Sequence, residues 1–225
     1  MTDKQNIQKQ NIQKQNIQRK KEIIKIKHTL HKKHILGAGK TKKTKKTKKI
    51  YRKKNRKIGD IIVFKDHPEF IPNVTPFEMF EMGVFGGTYW RPIYSNIVHK
   101  SLKNQHREFK EFNILPDNYL SSSICNPNIN FFKVTAGSSL KEWEDNKWIV
   151  KQDPYGWVQW YCRFYYGKRT QDDNRQINRW LKYAGPNGRF KKNLDNQIKN
   201  KGPNNASNTI KQGLLQWAYI HKIYI

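Results

Sequence analysis

The composition of this chain changes abruptly near residue 58. Of its 29 Phe, Trp and Tyr residues, only Tyr51 lies before that point. Residues 1–57 contain 22 basic and 2 acidic side chains, whereas residues 58–225 contain 23 and 15. The first segment lacks the apolar surface that would offset the entropy cost of ordering it. We therefore predict a disordered basic segment over residues 1–57 and a single aromatic-rich globular domain over residues 58–225.

Low-complexity repeats fill much of the basic segment. Residues 5–19 are three copies of a five-residue repeat, and residues 41–49 are three copies of Thr-Lys-Lys. Neutralising phosphates with only eight Lys or Arg side chains gives a slope of log K against log salt of about −7. The segment is therefore predicted to bind nucleic acid, DNA or RNA, without regard to sequence. A nuclear-import signal, a solubilising tail or attraction to a membrane surface are the alternatives.

Helix signals are frequent after residue 70. Thr75-Pro76-Phe77-Glu78 predicts a capping box that opens a short helix ending near Gly83. A second box starts at Ser139, with a helix to about Lys147. Apolar residues at helical spacing predict two further helices, marked by Phe190, Leu194 and Ile198, and by Ile210, Leu214, Trp217 and Ile220. The fold is predicted to be mostly α, with helical hairpins over residues 153–225. Minor β or extended structure is expected between residues 58 and 135, so an α+β fold is the alternative.

An aromatic run follows Asp153-Pro154, a pair predicted to cap and open a third helix. Four of its aromatic residues recur at helical spacing: Trp157, Trp160, Tyr161 and Phe164. This spacing is typical of a stripe that faces the core, so we favour packing as their role. Base stacking on this helix is the alternative, because three cations lie in or after it: Arg163, Lys168 and Arg169.

The segment after Thr170 is predicted to form an amphipathic helix that Thr170 caps and that ends at Gly185-Pro186. Its apolar positions cluster on one face: Ile177, Trp180, Leu181 and Ala184. A basic stripe lies on the opposite face: Arg175, Arg179 and Lys182. This stripe is predicted to contact phosphates of nucleic acid. Three cations further along the chain are predicted to do the same: Arg189, Lys191 and Lys192.

A pair of glycines, Gly86 and Gly87, precedes a predicted extended segment that contains Arg91. Glycine permits positive φ or a close approach of the backbone to another group. Arg91 beside them would bind an anion in a pocket, or would pair with a carboxylate of the domain. The sequence supports both interpretations equally.

Several motifs of the domain resemble an uncharacterised protein family found in large DNA viruses and in some fungi and plants. Residues 82–93 read MGVFGGTYWRPI, residues 153–165 read DPYGWVQWYCRFY and residues 185–190 read GPNGRF. The resemblance covers residues 75–192. It implies no activity and no functional residues, but it implies a viral protein, located in a virion or a virus factory.

Other kinds of site find little support. Three histidines and two cysteines of the domain lack the short spacings of zinc sites, so we expect no metal: His67, His99, His106, Cys125 and Cys162. No cofactor motif is present, so we expect no cofactor. The acidic clusters at residues 142–145 and 172–173 fall in predicted first helical turns, where acids stabilise the helix. Both thiols are expected to be reduced and largely buried.

Targeting signals are also absent from the sequence pattern. No stretch approaches 18 apolar residues, and the first 20 residues have no apolar core of a secretory signal. An intracellular protein that neither spans a membrane nor is secreted is therefore expected.

Taken together, these patterns favour a non-enzymatic, nucleic-acid-associated protein. The alternative is an enzyme that acts on nucleic acid or another anionic substrate, with a pocket formed by residues 86–94 and 155–169. A structural protein of a particle interior, whose basic segment neutralises a packaged genome, is a third interpretation.

Overall fold

The computed structural model describes residues 56–225. The predicted disorder of the basic segment and its repeats fall outside the described residues, except for Arg56 and Lys57. Arg56 bonds to the domain: it forms a salt bridge with Glu78 and donates to the Asn73 carbonyl oxygen at 2.7 Å. The described part of the domain therefore includes Arg56, which the sequence pattern assigns to the basic segment.

Helices make up 45% of the described residues, and the sheet found there has only two strands, which confirms the predicted mostly α fold. The α-helices are α1 (Pro76–Glu81), α2 (Asp117–Leu120), α3 (Leu140–Asp145), α4 (Trp157–Tyr165), α5 (Asp173–Tyr183), α6 (Arg189–Lys201) and α7 (Asn208–Gln216). Short 3-10 helices cover Gln105–Glu108, Lys110–Ile114, Pro127–Ile129, Pro203–Asn205 and Lys222–Tyr224. Strands β1 (Ile93–Ser95) and β2 (Lys100–Leu102) pair antiparallel, with Ile93 opposite Leu102. The β structure therefore lies between residues 58 and 135, where the sequence predicts it.

Two of the predicted helix caps are confirmed. The Thr75 hydroxyl accepts from the Glu78 amide, and the Glu78 side chain accepts from the Thr75 amide, which completes the capping box. Ser139 accepts from the Glu142 amide at 3.2 Å and begins α3. Each cap satisfies backbone donors that a helix start otherwise leaves unpaired.

The predicted start of α4 is wrong by several residues. Asp153 is not the cap: α4 begins at Trp157, with Gly156 at the N-cap position and φ of 82°. The Asp153 carboxylate is 1% exposed and accepts instead from Arg163 at 2.7 Å and Gln152 at 2.8 Å. The charge of Asp153 is thus balanced by Arg163, six residues after the first residue of α4. Sequence patterns of helix caps do not predict this contact.

Two other boundaries also differ from the prediction. Helix α5 begins at Asp173, because the Asp173 carboxylate accepts from both the Thr170 amide and the Thr170 hydroxyl and holds that residue outside the helix. Helix α7 ends at Gln216, so Trp217 and Ile220 lie beyond it. Ala218, with φ of 56°, turns the chain there.

The core is built from aromatic rings contributed by distant parts of the chain. Phe70, from a non-helical segment, is fully buried beneath α4 and α5. Its ring centroid lies 5.6 Å from that of Trp160, 5.5 Å from that of Phe164 and 5.1 Å from that of Trp180. Edge-to-face and tilted contacts of this kind stabilise aromatic cores beyond the area they bury.

The ends of the domain are joined by Asn73. Its side chain donates to the Ile220 carbonyl oxygen and accepts from the Ile220 amide, each at 2.8 Å. The C-terminal turn is therefore part of the fold. Within residues 56–225, no helix combines the length and the apolar character needed to cross a membrane.

Candidate functional site

A cleft of about 670 Å³ opens between the start of α4, the C-terminal half of α5 and residues 137–149. Its volume lies within the range of small-molecule sites, about 300–1,000 Å³. Aromatic side chains dominate its lining: Phe85, Tyr89, Trp143, Trp148, Tyr155, Trp157, Tyr183, Phe190 and Trp217. Such a concave, mostly apolar surface is the usual form of a ligand site.

One wall of the cleft is a row of stacked rings. The Tyr183 ring centroid lies 4.1 Å from that of Phe190 and 4.8 Å from that of Trp217, with interplanar angles of 21° and 18°. Trp217 in turn lies 4.7 Å from Trp157. The tight turn between α5 and α6 brings these rings together. It requires Gly188, because a Cβ there would lie 2.5 Å from the Tyr183 carbonyl oxygen.

Three cations line the same cleft: Arg179, Lys182 and Arg189. The lining side chains in the described part of the chain include no carboxylate. Arg179 lies between two indoles, with its guanidinium carbon 5.8 Å from the Trp148 centroid and 5.4 Å from the Trp217 centroid. The cleft thus combines aromatic faces with uncompensated positive charge.

Arg179, which the sequence places on the face of α5 opposite the apolar residues, is half-buried. It donates to the Trp148 carbonyl oxygen at 3.2 Å and to the Gln176 side-chain oxygen at 3.0 Å. Burial and the nearby Arg175 lower its pKa to about 10, and Asp172 opposes that shift. At neutral pH the group therefore keeps its charge inside the cleft.

Four other predicted cations are paired with carboxylates of the domain. Their partners are Glu108 and Asp153 for Arg163, Asp66 for Arg169, Asp172 for Arg175 and Asp195 for Lys191. Burial raises the pKa of Asp153, and the Arg163 guanidinium opposes that rise. Arg169 also lies over Phe164, 3.8 Å from its ring centroid. These four cations form ion pairs within the domain, and the structure does not bring them to the cleft.

The last two predicted cations, Lys168 and Lys192, are exposed and lie outside the cleft lining. Lys168 flanks a separate shallow depression that Glu108 and Arg163 also line. Lys192 lies on α6, one residue after Lys191. The predicted stripe is therefore divided, since Arg179 and Lys182 join Arg189 at the cleft and Arg175 does not.

The glycine pair has a packing role. A Cβ on Gly87 would lie 2.0 Å from the Asn118 carbonyl oxygen, and one on Gly86 would lie 2.5 Å from the Cys125 sulfur. Neither glycine lines the cleft. The Arg91 guanidinium donates to the Thr88 carbonyl oxygen at 3.0 Å, rather than to the carboxylate that one interpretation expected.

Replacing Gly87 with alanine should therefore lower the free energy of unfolding by about 2–3 kcal/mol, since strain at φ of +84° adds to the clash. The matched control is Gly167→Ala, where φ is +97° but nothing lies within 4 Å of the added Cβ. That variant should lose only about 1 kcal/mol. Urea titrations of both variants measure the difference, and equal losses would rule out a packing role for Gly87.

The aromatic side chains of α4 pack in the core. Trp157, Trp160, Tyr161 and Phe164 are all buried, as the packing interpretation predicts. Of residues 155–166, only the first four line the cleft, and Tyr155 and Trp157 are the aromatic residues among them. Stacking of bases along the whole helix is thus ruled out by burial, and only its N-terminal end adjoins the cleft.

The two cysteines are free, and they differ in exposure. Cys162 is buried, and burial raises the pKa of its thiol well above the ordinary value. Cys125 is exposed, contrary to the prediction that both thiols are largely buried. Residues 56–225 contain no cluster of three His, Cys, Asp or Glu side chains that could hold a metal ion.

Most of the cleft's lining could not be assigned from the sequence. Five of its rings come from three parts of the chain: Trp143 and Trp148, Tyr183 and Phe190, and Trp217. Trp143 and Trp148 lie in a segment rich in charged residues. Because an indole in so polar a segment needs an apolar partner, their presence there was the one sequence signal of a contact with another part of the chain. Comparison of the chain with protein-family models, with curated proteins and with solved structures finds no match.

Proposed function

We propose that this protein binds nucleic acid without a catalytic step, through its basic N-terminal segment and the cations of the aromatic cleft. The observation that carries the proposal is the lining of the cleft, where Arg179, Lys182 and Arg189 meet aromatic faces without a carboxylate. Aromatic rings beside cations suit a ligand that combines planar bases with phosphates.

The two regions have different roles in this proposal. Residues 1–57 supply affinity that is independent of sequence and falls steeply with salt, because 22 basic side chains release counterions from the nucleic acid. The cleft fixes how the nucleic acid lies on the domain, since its three cations hold fixed positions on α5 and α6. The resemblance to viral proteins adds the proposal that this binding takes place in a virion or a virus factory.

An enzyme that acts on an anionic substrate is the second candidate, and the cleft overlaps its expected pocket at Tyr89 and Tyr155. The lining includes the Ser138 hydroxyl, but within the described residues it includes no carboxylate, histidine or cysteine that could activate this hydroxyl or transfer a proton. Burial raises the pKa of Tyr155 to about 12, which makes this phenol a poor base at neutral pH. The lining therefore favours binding over catalysis.

Changing all three cleft cations to glutamine should lower the magnitude of the salt slope for single-stranded nucleic acid by roughly 2, about 0.7 for each lost phosphate contact. The charge-matched control changes Lys192, Lys199 and Lys201, which are exposed on α6 and outside the cleft lining. Fluorescence anisotropy of a labelled oligonucleotide across a salt series gives both slopes. Equal losses in the two triple variants would mean that bulk charge, and not the cleft, is what binds.

A chain that lacks residues 1–55 should fold and should bind nucleic acid more weakly than the full chain. The cut leaves Arg56 in place because it bonds to Glu78 and Asn73. Circular dichroism during heating tests folding, and anisotropy tests affinity. Loss of a cooperative transition would show that the basic segment is needed for the fold, and unchanged affinity would contradict its proposed role.

A further inference from the structure

The stacked wall of the cleft leaves ring surface uncovered. Tyr183, Phe190 and Trp217 are only half-buried, and Trp148 on the facing side is 38% exposed. Phe190 and Trp217 stack on the two faces of Tyr183, so these three rings present mainly their edges to the cleft, and Trp148 is the aromatic side chain of the lining with the most exposed ring surface. Nucleic-acid bases stack on an exposed ring whatever their identity, because every base has a π face of its own.

Arg179 provides an anion-binding group beside this wall. It forms no salt bridge within residues 56–225, and both of its hydrogen bonds start from Nη1. Its Nε and Nη2 donors are therefore available to a ligand. Burying a guanidinium without an anion is unfavourable, so a phosphate placed here would relieve that cost. Lys182 and Arg189 are exposed at the edge of the cleft and add two further positive charges.

The shape of the cleft distinguishes between forms of nucleic acid. In a duplex the base faces are covered by neighbouring pairs and only the edges are presented in the grooves. An exposed aromatic side chain can stack only on a base that is unpaired. A cleft of about 670 Å³ has room for one nucleotide and not for a double helix.

We propose that the cleft binds one unpaired nucleotide of a single-stranded nucleic acid, with its base on the exposed Trp148 ring and its phosphate at Arg179, Lys182 and Arg189. The inference rests on the proposed nucleic-acid binding and adds which part of the nucleic acid enters the domain. The recognised chemistry is a nucleoside 5′-phosphate, so a free nucleotide and a strand must be tested separately.

The first arm of the test is calorimetric titration of the full chain with adenosine 5′-monophosphate. Adenosine and ribose 5-phosphate, which each lack half of the recognised group, should bind about tenfold more weakly. Trp148→Ala and Arg189→Gln should each weaken binding of the monophosphate about fivefold, because one removes ring surface and the other a phosphate contact. The controls Tyr94→Ala and Lys192→Gln change an exposed ring and an exposed cation outside the cleft and should leave binding within about twofold.

The second arm compares a single strand with a blunt duplex of the same length, at about 0.2 M salt to weaken the contribution of the basic segment. Trp148→Ala should weaken single-strand binding and leave duplex binding unchanged. The inference would be overturned if the cleft variants bound the monophosphate as tightly as the unchanged chain does. It would also be overturned if the monophosphate and ribose 5-phosphate bound with equal affinity. Cleft-dependent binding of the monophosphate without an effect on the strand would also overturn it, in favour of a free nucleotide. Failure of the full chain to bind either oligonucleotide would instead refute the proposed function.

Discussion

Replacing Trp160 with alanine should lower the free energy of unfolding by about 3–5 kcal/mol, the usual cost of removing a large buried aromatic side chain. The indole is 1% exposed and lies 4.9 Å from Phe164 and 5.6 Å from Phe70 between ring centroids. Its Nε1 donates to the Asp173 carboxylate at 2.8 Å. The substitution therefore opens a cavity and removes a donor from a buried carboxylate at once.

Urea titration of the Trp160 variant measures this loss, and Trp148→Ala is its matched control. Trp148 is 38% exposed, so its truncation should cost less than about 1 kcal/mol. A loss below about 1 kcal/mol for Trp160→Ala would contradict the described core. The second variant also shows that the cleft can be altered without unfolding the domain.

Raising the pH from about 8 to about 11 should lower the free energy of unfolding by roughly 7 kcal/mol, about 4 from three buried tyrosines and about 3 from the buried Cys162 thiol, because these groups resist ionisation in the fold. Burial raises the pKa of Tyr155 to about 12 and raises the pKa values of Tyr89 and Tyr161 well above 10. The Tyr155 hydroxyl donates to the Arg91 carbonyl oxygen, and that of Tyr161 to the Val74 carbonyl oxygen, each at 2.8 Å. A phenolate could donate neither bond.

The direction follows from which state ionises first. Below pH 10 each tyrosine is neutral in both states, whereas between about pH 10 and 12 only the unfolded chain ionises and gains free energy. Arg179 opposes this loss, because its pKa, lowered to about 10, lets the folded domain release a proton first. Burial also raises the pKa of Tyr219 to about 12, so that tyrosine offsets the contribution of Arg179.

Urea unfolding at the two pH values measures this loss. The Tyr155→Phe variant is the control for general charge effects, because it removes one ionising group and leaves every lysine in place. Its free energy of unfolding should fall by about 1 kcal/mol less than that of the unchanged chain over the same interval. Equal falls in the two chains would show that Tyr155 is not shielded from water.

Local signals in the sequence predicted local structure well. Thr75 and Ser139 cap helices where the sequence places them, because a hydroxyl and an amide three residues apart are sufficient to form that contact. Aromatic spacing likewise identified Trp160 and Phe164 as core residues. Asp153 looked equally suited to be a cap. Its actual partner, Arg163, is ten residues away, and only the folded geometry decides between the two.

Such local signals could not predict the cleft, because it is formed by contacts between residues that are far apart in the chain. A helical wheel places Arg179 opposite the apolar face of α5, but the wheel contains no information about Trp148, which covers that side. Gly86 and Gly87 were correctly identified as sites of close backbone approach. The sequence could not show that the group approaching Gly87 is the Asn118 carbonyl oxygen rather than an anion.

Photochemical crosslinking shows directly whether a single strand enters the aromatic cleft. The full chain is irradiated with a single-stranded oligonucleotide that carries 5-iodouracil, which reacts with adjacent aromatic side chains, and the crosslinked peptides are sequenced by mass spectrometry. We expect crosslinks at Trp148, Tyr183, Phe190 or Trp217, and we expect these crosslinks to be lost when excess unlabelled single strand is added. Crosslinks confined to residues 1–57, with none on the domain, would contradict the assignment of the cleft.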